Sequence, residues 1–360
     1  MNEDCLKLTA YLGERDRTEH DLLLANHLLD LYEQHAVQSS ILMRGIAGFG
    51  LKHGMHTDVS LTLSEDLPVV AVAIDTRERI DVLLPGILAM KQHPGLLTLE
   101  RARLLTGTTE PIELPEDLTE ATKLTLYVGR QERTGRTPLF VAICDLLNRR
   151  GVSGATVLLG VDGTRHGARE RAAFFGRNAE VPMMIISVGP GKQIANVLPE
   201  LQQLVTEPIA TLERVRVCKR DGQLLAQPSE LPGTDEHGLA LWQKLMIHSS
   251  ESAQYDGQPL HRALIGRLRA ANVAGATTVR GIWGFHGDHP PHGDKLLQLR
   301  RHVPTITIVI DRPERIAEAF TIVDEVTAER GLVTSEMVPA AATRTEERVR
   351  GGLRLARHRY

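Results

Sequence analysis

Hydrophobic and polar positions recur along the chain in three rounds. In the first, Leu6 to Leu12 alternates like a strand, and Gly13 to Arg17 is a polar turn. Thr18, three before Asp21, resembles a capping box, and Leu22, Leu28, Leu29 and Tyr32 supply an apolar face at helical spacing. Ser39 to Ile46 reads as a second strand, residues 47 to 66 as a long loop, and Val69 to Ile74 as a third strand. Arg77 to Met90 is a helix that Pro85 is expected to kink or shorten. Leu96 to Leu104 closes the round as a fourth strand. The order βαββαβ is that of a split βαβ, ferredoxin-like unit.

Repeats fix the other two rounds. Arg44-Gly45-Ile46-Ala47-Gly48-Phe49-Gly50 returns as Arg280-Gly281-Ile282-Trp283-Gly284-Phe285-His286-Gly287, and a worn copy runs from Leu159 to Arg165. His53 and His56 reappear as His289 and His292. The strands after Pro68, Pro182 and Pro304 match, and Asp75 and Asp311, which follow two of them, read as helix caps. These anchors divide the chain into repeat 1 (1–107), a diverged repeat 2 (120–219), repeat 3 (238–341) and a basic tail (342–360) expected to be solvated.

The third strands are apolar on both faces, as in Val69, Val70, Val72 and Ile74, or Met183 to Ile186. Such a strand is buried on both sides. Helices cover one side of a ferredoxin-like sheet, so the other sides are expected to pack on one another within one chain. The fold class is therefore α+β, three tandem ferredoxin-like units, with the chain acting as a monomer.

Composition excludes several classes. A net charge of -3 gives no global case for nucleic acid. No apolar stretch is long enough to insert in a membrane. Cys5, Cys144 and Cys218 are odd in number and widely spaced, which suggests reduced thiols and a cytoplasmic setting.

Gly48-Phe49-Gly50 with Lys52 and Gly54 resembles the start of the T-loop of PII signalling proteins. The fuller pattern, continuing through a His-bearing loop to Ser64–Val70, resembles the PII-like family called domain of unknown function 190. Repeat 1 matches it closely, repeat 3 clearly and repeat 2 weakly, over about 90% of the chain. The resemblance implies a trimeric assembly, here a pseudo-trimer from one chain. It implies a signalling role, with an adenine nucleotide in clefts between units and a partner such as a membrane channel or transporter. Fluoride export is an implied setting. Two PII features are absent: Lys91-Gln92-His93-Pro94-Gly95 stands where the phosphate-binding loop belongs, and no tyrosine lies between Gly50 and Pro68.

The candidate ligand-binding residues are Arg44, Gly45, Gly48, Phe49, Gly50 and Lys52, with Arg280, Gly281, Gly284, Phe285 and Gly287 in repeat 3. Glycines that accept positive φ aim successive N–H groups at an anion, and the basic side chains add charge. The other reading is a strand end that needs glycine for its turn. Repeat 2 has Leu159 for the arginine and Asp162 in the turn, which predicts at most two ligand sites per chain. The loop histidines 53, 56, 289 and 292 offer imidazole at i, i+3 for a divalent metal, or form a solvated loop. No nucleophile–base pair, P-loop or dinucleotide fingerprint appears. A non-catalytic role without a cofactor is expected, with a small enzyme at an inter-repeat cleft as the alternative.

Overall fold

The structure is a computed structural model and describes residues 2–50, 55–57, 66–90, 95–106, 114–172, 181–205, 207–286, 291–293, 303–344 and 349–358. It is a mixed α/β protein with a large antiparallel sheet and, among the described residues, six α-helices. Repeat 1 comprises β1 (Asn2–Gly13), α1 (Leu24–Gln34), β2 (Ser39–Phe49), β3 (Pro68–Thr76), α2 (Arg77–Ala89) and β4 (Gly95–Thr106). Repeat 2 comprises β5 (Thr122–Gly129), α3 (Leu139–Arg149), β6 (Gly154–Leu159), β7 (Pro182–Gly189), α4 (Gly191–Leu204) and β8 (Ile209–Arg214). Repeat 3 comprises β9 (Trp242–Ser250), α5 (Leu260–Ala270), β10 (Ala276–His286), β11 (Pro304–Asp311), α6 (Pro313–Val326) and β12 (Leu332–Val338). In each repeat the third strand lies between the second and the first, and the fourth pairs with the first.

Alternation along the third strands divides the interior. Val69, Ala71 and Ala73 face the repeat 1 helices with Leu28, Leu29 and Leu83. Val70, Val72 and Ile74 face the opposite way, into a core shared with Met184 and Ile186 of repeat 2 and Met246 and Ile306 of repeat 3. The two-sided apolar pattern thus reports one core under each helix pair and one central core built by all three sheets.

Two sets of strand exchanges join the repeats. Second strands pair in a ring: Gly45–Phe49 with Ala276–Val279, Gly281–His286 with Gly154–Leu158, and Asp162 and Arg165 with Leu42 and Ser39. Fourth strands overshoot in the other sense. Arg103–Thr106 pairs with Ile209–Leu212, Arg216–Arg220 with Leu332–Ser335, and Ala340–Arg344 with Gly95–Leu99.

Local expectations are corrected at four places. Helix α1 begins at Leu24 without a side-chain cap, and Thr18 instead accepts from Leu22 N–H at 3.2 Å in the preceding turn. Helix α2 continues through Pro85 to Ala89. Asp75 and Asp311 are not caps: each holds the start of a second strand, accepting from Gln38 N–H and Ala274 N–H at 2.9 Å. The basic tail is not solvated throughout, because Ala340–Arg344 forms a strand, Leu353 and Ala356 are buried, and Arg101 donates to Ala356 O at 2.6 Å.

Candidate functional site

The glycine stretches lie at the second-strand crossings. The expected positive φ is not found at Gly45, Gly48, Gly50, Gly281 or Gly284. What Gly45, Gly48, Gly281 and Gly284 need is close approach. A Cβ on Gly45 would meet Pro68 Cγ at 2.7 Å and Thr278 O at 3.1 Å; one on Gly281 would meet Pro304 Cγ at 2.8 Å and Val157 O at 3.0 Å. Gly48 and Gly284 would likewise press on Ala276 O and Ala155 O of the neighbouring repeat. The motif is therefore a strand crossing, backed by the proline of its own repeat.

Its arginines are held nearby. Arg44 pairs with Glu14 at 2.5 Å and Arg280 with Glu251 at 2.6 Å, each glutamate just past the first strand of the same repeat. Phe49 and Phe285 are buried, Phe49 in the repeat 3 helix-side core and Phe285 in that of repeat 2. Lys52, His53, Gly287 and His289 lie outside the described residues. His56 and His292 are placed by backbone register alone, opposite Gly48 and Gly284.

Gly50 behaves differently, because a Cβ there would meet nothing within 4 Å. It opens onto a cavity of about 150 Å³ between repeats 1 and 3. Tyr11, Phe49, Ile308 and Ile310 give the cavity apolar walls, and Gly95 and Gly275 bring in backbone. Asp16 and Asp66 are the charged side chains of the described lining. Each is oriented by a backbone donor at 2.7 Å: Gly13 N–H for Asp16, Arg15 N–H for Asp66.

A second cavity, of about 50 Å³, lies in the central core and is lined in part by members of a ring of six buried charges. Lys7, Lys123 and Lys244 come from the three first strands, and Glu100, Glu213 and Glu336 from the three fourth strands. Each lysine bridges the glutamate of its own repeat and that of the next. Lys123 reaches Glu213 at 3.0 Å and Glu336 at 2.5 Å; Lys244 reaches Glu336 at 3.0 Å and Glu100 at 2.5 Å. Lys7 is 3.6 Å from Glu100 and also bonds Glu213. Burial alone would raise the Glu213 and Glu336 carboxyls, but the lysines more than reverse it and hold both below the ordinary range. Burial dominates at Lys7, whose ammonium is lowered, whereas the glutamates keep Lys244 well above its usual value. The three carboxylates approach within 4.8 Å, close enough to hold a cation, but the lysines already neutralise them.

The ring was legible as a lysine and a glutamate at matching places in three apolar strands, a signal the glycine motif overshadowed. Asp162 also differs from its expected role. It is buried, accepts from Arg169 at 2.7 and 2.9 Å, and fixes the hairpin of Asp162–Arg165 and Ala168–Arg171 against α1, where Arg169 also bonds Asp30.

Comparison with known proteins agrees with the repeats. The family model of DUF190, described as Uncharacterized ACR, COG1993, matches residues 5–104, 121–217 and 242–340. The UPF0166 protein MJ1524 of Methanocaldococcus jannaschii is 26% identical over 102 residues, covering 28% of this chain and 93% of its own. A UPF0166 protein of Aquifex aeolicus is 32% identical over 95 residues, covering 26% of this chain and 88% of its own. Each relative thus matches about one repeat. The aspartate kinase of Synechocystis aligns with 95% of this chain and 45% of its own at 12% identity, but its TM-score of 0.23 is too low to carry an argument.

Proposed function

The chain belongs to the DUF190 family, and we propose that it is a non-catalytic, PII-like regulatory protein. In this reading three ferredoxin-like units close into a pseudo-trimer. A small molecule sits in the cleft between repeats 1 and 3, and a partner senses its presence through the adjoining chain segments. The observation that carries the reading is the cavity at Gly50, which needs residues of both repeats. Segments 51–54 and 91–94 adjoin Gly50 and Gly95, two of its lining residues. Burial raises the Cys144 and Cys218 thiols, Cys218 to about 12, which suits a role without thiol chemistry.

The described lining changes the ligand expected from sequence. Asp16 and Asp66 favour a molecule that offers N–H or O–H donors, and Tyr11, Phe49 and Ile308 favour a flat apolar face. An adenine nucleotide brings both in its base and sugar; its phosphates would draw on cations outside that lining. A membrane channel or transporter remains the partner implied by the resemblance to PII proteins.

A thermal-shift screen over nucleosides, nucleotides and divalent metals tests the reading, with Gly50→Trp as the filled-cleft control. At least one compound should raise Tm, and Gly50→Trp should remove that rise while leaving the unliganded Tm nearly unchanged. A screen without a hit, or a rise that survives Gly50→Trp, would sink it. Light scattering should give a monomer near 39.7 kDa; a stable homotrimer would contradict an internally completed assembly.

A further inference from the structure

The three second-strand crossings occupy equivalent places, and they differ at the residue that ends each second strand. Gly50 lies beside Gly275, one residue past the Phe49–Ala276 pair, and register places Arg165 opposite Ser39 and His286 opposite Gly154. Gly50 carries no side chain and faces the open cavity. Arg165 reaches Glu132, which occupies in repeat 2 the turn position of Asp16: both lie three residues past a glycine whose carbonyl accepts their N–H. His286 hydrogen-bonds Asp221, whose N–H donates to Gly331 O; Gly331 stands where Gly95 lines the open cleft. Two clefts thus carry a side-chain bridge at this position, by unrelated pairs, and among the described residues the third does not. The residue beneath each follows suit. Leu96, opposite Tyr11, is half-buried, whereas Leu332 and Ile209 at the same register are 7% and 1% exposed.

We propose that the chain has one open ligand cleft out of three equivalent positions, chosen by the residue that ends each second strand: Gly50 open, Arg165 and His286 closed. This rests on the cleft reading above and goes beyond it by fixing one ligand per chain. It narrows the sequence expectation of at most two sites to one, because Gly281 lies beside a bridged cleft. Duplication inside one chain makes the difference attainable, since a homotrimer would carry the same residue at all three crossings.

Cysteine labelling tests the geometry without a ligand. Leu96→Cys, Leu332→Cys and Ile209→Cys are treated with iodoacetamide in the native state, against a background of buried Cys5, Cys144 and Cys218. Leu96→Cys should react at least about tenfold faster than the other two, because access limits thiol attack. Adding His286→Gly should raise the Leu332→Cys rate towards that of Leu96→Cys, and Gly50→His should slow Leu96→Cys. Arg165→Gly with Ile209→Cys is the parallel arm should the first pair fail to fold. Similar rates at all three sites, or bridge removals that change neither rate, would overturn the proposal. A compound from the thermal-shift screen that binds two or three times per chain would do the same. Correct labelling with no bound compound would instead count against the functional reading alone.

Discussion

The two faces of each sheet solve different problems. Under the helices lie three separate cores, each from one repeat with a strand contributed by a neighbour, and lined by aliphatic side chains such as Leu28, Ile143 and Leu264. On the inner face the three sheets share one core, and with it stand six charges, one lysine and one glutamate from each repeat, paired across repeats as well as within them. The outer layer rewards any apolar side chain of fitting volume. The inner ring rewards one arrangement, in which each ammonium lies between two carboxylates. Buried ion pairs contribute little net stability against apolar replacements but penalise a missing partner heavily. The inner face is therefore suited to fixing register between repeats, while the outer faces supply most of the burial.

Breaking the ring should have the largest effect. Lys123→Met leaves Glu213 and Glu336 short of a partner and should cost about 3–5 kcal/mol in urea unfolding. Replacing all six charges together with apolar residues should cost far less, and an equal loss would remove the distinction between the faces. An outer-core truncation comes next: Ile143→Ala, in a fully buried site, should cost about 2–4 kcal/mol.

Acid sharpens the contrast. The His248 side chain occupies the first-strand position held by Tyr11 and Tyr127 in the other repeats, and its Nε2 is closed to solvent although the residue is partly exposed. Burial lowers its imidazole to about 4, against an unfolded value near 6.5. The unfolded state then binds more protons, so stability is complete above about 6.5 and drains as pH falls towards 4, by about 3 kcal/mol. Below about 4.3, protonation of the lowered Glu213 and Glu336 carries the loss further. His248→Tyr should flatten the first limb and leave the second. Urea melts at pH 7.5, 5 and 3.5 read both, and an unchanged first limb would assign it elsewhere. The smallest effect belongs to the strand clamp: Asp75→Ala strands Gln38 N–H and should cost about 1–2 kcal/mol.

Much of the fold was readable in the sequence because it was written three times. The proline-led third strands gave the repeat spacing, and their unbroken apolar runs required a partner on the second face, which the shared core supplies. The candidate site was less readable. Glycine signals either unusual φ or close approach, and spacing does not separate them; only the register against Thr278 and Val157 shows that Gly45 and Gly281 serve approach. Gly50, Arg165 and His286 each end their copy of the motif, but that the first faces an open cavity while the other two reach acidic partners emerges only in the folded chain. Asp162 looked like a hostile charge in an anion site because Arg169, seven residues on, turns back to it only through a hairpin.

Residues 340–344 complete the outer edge of a strand made far earlier, at 95–99. During synthesis that edge waits, with its backbone donors and acceptors unpaired, until repeat 3 has emerged and docked. Long-range pairing of this kind is slow, and a waiting edge invites a strand from another copy. A chain cut after Val338 would keep all six ring charges yet lose this cover, and it should associate through repeat 1 during refolding. The strand is in this sense a built-in chaperone for the repeat that the ribosome releases first.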